Sequence, residues 1–256
     1  MLENVSLQEM VERKWSSRAQ SYSDLIHEEL NGHKKGAWLK EIDSLVSFSD
    51  SRTPRVLDIG TGPGFFSIVL TENGWRVTGI DCAKDMLKVA KANAAEYGVS
   101  PEFLEMDSHK LGFSDNTFDL LLCRNVTWTL YDPLAAYVEW RRVLRPGGYL
   151  LIFDANWYRH LFDREALERK MEAERKAKEL YGLDLFVEEN PQQSSSMYAS
   201  LPMGRFQRPE WDRERLTELG FRDILIDNSL SERVLDDGER LQYSATPMFS
   251  IRAIKG

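Results

Sequence analysis

The sequence predicts a doubly wound α/β domain: a mostly parallel sheet of seven strands covered by helices on both faces. Two observations carry the prediction. From Arg55 onward, short apolar runs rich in branched residues alternate with stretches whose apolar residues recur at three and four. The first of these runs, RVLDIG, ends in glycine, as a buried parallel strand does at its carboxyl end.

Taken in order, residues 6–46 have helical spacing, with Leu7, Met10, Val11, Trp15, Leu25, Ile26 and Leu30 marking the apolar side. Strand-like runs follow at Arg55, at Arg76 to Ile80, Glu102 to Met106, Phe118 to Cys123 and Tyr149 to Asp154. Between them, Phe65 to Glu72, Lys84 to Tyr97 and Pro133 to Leu144 have helix-forming composition. Asp81 to Asp85 reads as a turn, and R-P-G-G at Arg145 to Gly148 reads as a helix stop. The alternation then breaks into an insert from Ala155 to Arg208, predicted as a charged helix, REALERKMEAERKAKEL, and a polar loop, ENPQQSSSMYASLPMG. A capped helix, PEWDRERLTELG, and two strand-like runs, FRDILIDNSL and ATPMFSIRAIK, complete the count of seven. The expected organisation is one domain over 1–256, with a helical segment 1–50, a core 51–154, an insert 155–208 and a tail 209–256.

Composition narrows the function. The 256 residues include 41 Asp and Glu against 33 Lys and Arg, a net charge of −8, so a phosphate backbone is repelled unless basic residues gather on one face. Mean hydropathy is −0.44. No window approaches the roughly 18 apolar residues of a membrane span, and the polar, acidic start resembles no secretory signal, so a cytoplasmic protein is expected. Cys82 and Cys123 stand alone, without C-x-x-C spacing or an adjacent histidine, so neither a structural zinc nor a disulfide framework is expected.

The most informative segment is VLDIGTGPGFFSIVL, which places Gly60, Gly62 and Gly64 at the carboxyl end of the first strand, where open α/β sheets bind ligands. A dinucleotide fingerprint requires a third glycine where Phe65 stands, which weakens a dehydrogenase reading. Asp81, 21 residues after Gly60, is placed to accept both ribose hydroxyl protons of a nucleoside. Asp107 and Ser108 end the third strand and can read an adenine edge, and Met86 offers a flexible apolar surface to its face.

These residues resemble the class I S-adenosylmethionine-dependent methyltransferases, within the broad group that includes ubiquinone- and biotin-pathway enzymes. The resemblance covers about Trp15 to Asp154, and the tail more loosely. It implies a Rossmann-like methyltransferase fold with S-adenosylmethionine as cofactor and S-adenosylhomocysteine as product. Asp58 to Gly64, with Gly60, Thr61 and Gly62, would hold the methionine portion, Asp81 the ribose, Met86 the adenine face, and Asp107 with Ser108 its edge, with Cys82 also in the cofactor site. FDLLLCRNVTW would be the fourth-strand motif, with Asn125 near the amino group. WSSRAQSY looks like the group's aromatic amino-terminal segment and makes Tyr22 a candidate lid. Asp58 as a cap of the glycine loop, and Met86 and Tyr22 as core, are the structural alternatives.

Methyl transfer from a sulfonium needs positioning more than acid–base groups, so no catalytic constellation is required. The fourth-strand motif lacks an N-P-P-Y type sequence, and Cys123 is not preceded by proline; both argue against DNA methylation. Trp128, Trp157 and Tyr158 follow strand ends and are expected to line an acceptor pocket. His160 is a candidate base, with a solvated surface group as its alternative; Asp154 either orients a substrate hydroxyl or caps the next helix. The expected function is methylation of a small molecule by a monomer or homodimer, with no metal, the insert 155–208 covering the acceptor. The alternatives are an RNA or protein methyltransferase and a non-catalytic module that binds the cofactor or its product.

Overall fold

Ser6 opens the first helix with a reciprocal cap: its hydroxyl accepts from Glu9 N at 3.2 Å, and the Glu9 carboxylate accepts from Ser6 N at 2.9 Å. The computed structural model describes residues 6–48, 52–181 and 191–256. The helical preface is three helices, α1 (Leu7–Ser17), α2 (Ala19–Asn31) and α3 (Lys34–Leu45), which bury Val11, Ile26, Leu30, Trp38 and Ile42.

The alternating core runs β1 (Arg55–Ile59), α4 (Phe65–Glu72), β2 (Arg76–Asp81), α5 (Lys84–Glu96), β3 (Glu102–Glu105), β4 (Phe118–Arg124), α6 (Pro133–Val143) and β5 (Leu144–Asp154). Next come α7 (Arg164–Tyr181), α8 (Pro191–Ser200), α9 (Glu210–Glu218), β6 (Phe221–Asp227), α10 (Leu230–Val234), α11 (Asp237–Gln242) and β7 (Phe249–Lys255). The sheet order is β3-β2-β1-β4-β5-β7-β6. The first five strands pair in parallel, and β7 pairs antiparallel with both β5 and β6. The chain winds outward from β1 to β3 and returns at β4, so the crevice beyond β1 and β4 is the topological switch point.

Period-two alternation sorts the buried residues onto two faces. Leu120 and Leu122 join Trp38, Phe66 and Phe153 on one side; Leu121 and Cys123 join Leu57, Ile59, Tyr137 and Trp140 on the other. Each such side chain contributes about 1.5–3 kcal/mol through its burial.

Three stretches differ from the sequence expectation. Arg145 to Gly148 does not separate helix from strand: β5 begins at Leu144, directly after α6, and its register against β4 shifts between Phe118 and Leu120. The glycines serve a bulged strand start, with Gly147 at φ +74°. The polar segment read as a loop contains α8, whose end buries Met197 and Tyr198, with Leu201 just beyond, against Trp128 and Val11; tertiary packing overrides composition there. The first residues of that segment lie outside the described residues. The tail also carries two short helices, α10 and α11, between β6 and β7. The charged helix is α7, laced by pairs such as Arg164–Glu168 and Arg175–Glu179, with Ala166, Ala173 and Ala177 on its buried side. Among the described residues, no helix is long and apolar enough to cross a membrane, and no group of three potential metal ligands occurs.

Candidate active site

The turn after Ile59 threads Gly60, Gly62 and Gly64 through positive φ (+63°, +53° and +96°) before α4 starts at Phe65. Only glycine enters that region without a steric penalty, and at Gly60 a Cβ would also lie 2.4 Å from Val126 Cγ2. Asp58 ties this loop to its helix: one carboxylate oxygen accepts from Thr61 Oγ1 at 2.6 Å and from Ser67 N and Oγ at 3.0 and 2.8 Å. The cap role foreseen for Asp58 is thus present, and the residue also lines the cavity described below. Burial raises its pKa, against the pull of the Thr61 and Ser67 hydrogen bonds.

Asp81 closes β2 and braces the same loop, accepting from Gly62 N at 3.0 Å and Ala83 N at 2.9 Å. Burial pushes its pKa up to about 6, although both backbone donors favour the anion. Asp107 behaves oppositely. Burial acts to raise it, but His109 N and Nδ1 at 2.9 and 2.7 Å and the Tyr131 hydroxyl at 2.6 Å bring it down to about 2. The His109 ring stacks on Tyr131 with centroids 3.7 Å apart. Ser108 is pinned through its carbonyl, which accepts from Trp140 Nε1 at 2.9 Å.

These groups surround a cavity of about 240 Å³ at the switch point. Tyr22, Asp58, Gly60, Thr61, Gly62, Asp81, Cys82, Met86, Asp107, Ser108 and Asn125 all line it, whereas Gly64 sits behind the loop, its hydrogen side facing Ala90 and Phe103. Met86 is also packed against Ala19 and Ala83, so its core and cavity roles coincide. Tyr22 meets Trp15 edge to face at 5.2 Å. Burial raises the Cys82 thiol to about 12, keeping it protonated at neutral pH.

The expected acceptor and catalytic residues divide. Trp157 lines the cavity, donates Nε1 to Asp154 at 2.9 Å and meets Tyr243 edge to face at 5.4 Å. Trp128 and Tyr158 do not line it; they pack with Tyr198 at 5.4 and 3.9 Å, because the turn after β4 folds Trp128 back beneath α8. Asp154 does not line the cavity. It is fully buried and accepts from Trp128 N, Ala155 N, Trp157 Nε1, the Thr127 hydroxyl and Arg208 Nη1. His160 also stands outside the cavity, half-buried rather than solvated, with burial and then Lys170 lowering its pKa to about 4. Among the described residues the insert supplies Trp157 to the lining, and α1, α2 and the tail supply Gln8, Leu25, Glu29, Leu235 and Tyr243.

Sequence reasoning missed Arg124, Glu29, Glu239 and Tyr243. The detectable signal was Arg124, a charge at the last position of a buried strand. Two features fit an amino-acid-bearing nucleoside. Gly62 has open space where a Cβ would stand, and Asn125, at φ +58°, carries a buried Oδ1 without a hydrogen-bond partner among the described residues.

Residues 57–152 match the methyltransferase domain family. The ubiquinone biosynthesis O-methyltransferase of Hahella chejuensis is 30% identical over 146 residues, covering 55% of this chain and 61% of that protein. The phosphatidylethanolamine N-methyltransferase of Cereibacter sphaeroides is 35% identical over 105 residues, covering 40% of this chain and 51% of its own. The chain spans about half the length of the curated relatives it matches. Phosphoethanolamine N-methyltransferase 2 of Haemonchus contortus, solved with phosphomonomethylethanolamine and S-adenosylhomocysteine, superimposes with a TM-score of 0.61 at 20% identity, over 100% of this chain and 61% of that one. The Rossmann-like sheet order, the glycine loop and the matched segment coincide: residues 57–152 carry a methyltransferase domain, on a fold shared with methyltransferases solved with S-adenosylmethionine and S-adenosylhomocysteine.

Proposed function

We propose that the protein transfers a methyl group from S-adenosylmethionine to a small-molecule acceptor by in-line displacement. The observation that carries this reading is the composition of the lining. The glycine loop, Asp81, Met86 and Asp107 line the cavity together with the aromatic rings of Tyr22, Trp38, Trp157 and Tyr243. Arg124 is the one lysine or arginine among the described lining residues, which favours a compact acceptor over an RNA backbone.

The cofactor, when bound, supplies an activated methyl on its own leaving group. The chain's task is then positioning, which can supply on the order of 7–11 kcal/mol. Asp81 receives the ribose hydroxyls, Met86 packs on the adenine, Asp107 and Ser108 hold its edge, and Asn125 accepts from the ammonium. Tyr22 and Trp15 cover the site and exclude water. The relatives support a small acceptor through their names alone, one acting on oxygen in ubiquinone biosynthesis and one on the nitrogen of phosphatidylethanolamine.

Calorimetry with S-adenosylmethionine and S-adenosylhomocysteine tests the binding half, and release of S-adenosylhomocysteine over a panel of small acceptors tests the transfer. Asp81→Ala is expected to weaken cofactor binding by about 1–3 kcal/mol. Tight binding with no turnover on any acceptor, RNA and protein included, would instead identify a binding module.

A further inference from the structure

The cavity lining holds five carboxylates, those of Glu29, Asp58, Asp81, Asp107 and Glu239, and each already faces at least two donors from the protein. Arg124 is the reverse. Of the five N–H donors of an arginine, the described residues engage one, Nη2, which donates to Glu29 Oε2 at 2.8 Å. Glu29 Oε1 also lies 3.5 Å from Lys34 Nζ, so Glu29 keeps a second cation when an anion reaches Arg124.

Strand alternation decides where the open donors stand. Arg124 continues the row of Leu120 and Leu122, on the sheet face of Trp38, Phe65 and Phe66. Its guanidinium lies over these three rings at 5.3, 4.6 and 5.3 Å. The same apolar cluster takes in Met248, with Trp157 and Tyr243 packed against it, and all of these side chains line the cavity. The groups read as the adenine site belong elsewhere: Met86 clusters with Ala19 and Ala83, and Met106, beside Asp107, packs with Ile80 on the opposite face. The Tyr22 hydroxyl adds a donor to the lining, since it stands two turns from Glu29 on one face of α2 and burial keeps it protonated at neutral pH. A cation with open donors among aromatic and aliphatic walls suits a ligand that joins an apolar body to an oxyanion, because low-dielectric surroundings strengthen the attraction and a planar guanidinium pairs with two oxygens at once.

We propose that the methyl acceptor is an anion, a small molecule with an apolar body whose carboxylate or phosphate-type oxygens are bound by Arg124, with Glu29 as the positioning residue for the guanidinium. The inference rests on the reading of the protein as a small-molecule methyltransferase. The oxyanion is a recognition handle and not the methylated atom, since oxygens that accept from a guanidinium lose nucleophilicity. Its charge also complements the cofactor, because a sulfonium attracts an anionic neighbour and repels an ammonium.

The test is calorimetry on the full chain saturated with S-adenosylhomocysteine, with four ligands that differ in one group: benzoate, phenylphosphonate, benzamide and benzylamine. Wild type is expected to bind benzoate or phenylphosphonate at least about 10-fold more tightly than benzamide, and the tighter of the two names the oxyanion. Arg124→Gln is expected to bind that anion and benzamide alike, with its Kd for S-adenosylhomocysteine within about 3-fold of wild type. Arg124→Lys keeps a point charge and recovers part of the preference. Glu29→Gln weakens the anion and leaves the Kd of benzamide in place, a split that a merely structural role would not produce. Wild type without a preference for either oxyanion, through equal affinities or through binding none of the four, overturns the proposal without any variant. So do a preference for benzylamine and an undiminished preference in Arg124→Gln. An Arg124→Gln protein whose loss falls on S-adenosylhomocysteine rather than on the anion assigns the guanidinium to the cofactor and also overturns it. Wild type that binds no S-adenosylhomocysteine removes the cavity reading itself, a result distinct from all of these.

Discussion

Substituting Gly60 by alanine separates two costs that the structure places on one atom. A Cβ at this position would lie 2.4 Å from Val126 Cγ2 and 3.1 Å from Cγ1, on a backbone at φ +63°. The left-handed backbone costs an L-residue about 1–2 kcal/mol, and forcing a methyl against a packed neighbour costs typically about 1–3 kcal/mol. Gly60→Ala should therefore lose roughly 2–5 kcal/mol of stability. Val126→Ala removes both clashing Cγ atoms but leaves the backbone strain. In the double mutant the overpacking share, about 1–3 kcal/mol, should be recovered as a coupling term. Urea denaturation of the four proteins measures the cycle, and S-adenosylhomocysteine titration of each asks whether the displaced loop still receives the ligand. A single-mutant loss below about 1 kcal/mol, or a coupling near zero, would show that the loop relaxes and that the close approach does not constrain Gly60.

Two further outcomes follow from buried charge. Burial pushes the Asp81 carboxyl up to about 6, so it is ionised above that pH and protonated below it. Its ability to accept two ribose hydroxyls is present above that pH and lost below it. Cofactor affinity should fall as pH drops from 7.5 to 5, and Asp81→Asn should flatten the profile; an unchanged slope in that variant would assign the dependence elsewhere. Arg208 lies between the buried carboxylates of Asp154 and Asp212, at 3.1 and 2.8 Å. Arg208→Met should lose about 3–5 kcal/mol because two buried anions keep no cation, and urea denaturation showing less than about 1 kcal/mol would count against that account.

The legible part of this protein was what short-range periodicity and chain order encode. RVLDIG, RVTGID and FDLLLCR announce buried strands because both of their faces are covered, and the glycine loop and Asp81 declare themselves because each sits at a strand's carboxyl end. The parts that escaped depend on residues far apart in the chain. Glu29 meets Arg124 across 95 positions, and Lys34 meets Glu239 across 205. On an isolated amphipathic helix a glutamate belongs to the solvated face by default, and nothing near Glu29 in sequence says that β4 will deliver a guanidinium to it. Asp154 is the same case on the other side of the switch point. Its position at the end of β5 suggests substrate contact, yet Arg208, 54 residues later, and Thr127 fill its hydrogen-bonding capacity. Two strand-end polar groups, Arg124 on β4 and Asp154 on β5, thus come to opposite ends: one retains donors toward a cavity, and the other is consumed by the fold. The distinction lies in their partners. Arg124 is matched by one carboxylate and three apolar ring faces, which hold a cation without filling its donors. Asp154 is matched by five donors, which leave a carboxylate nothing to offer a substrate.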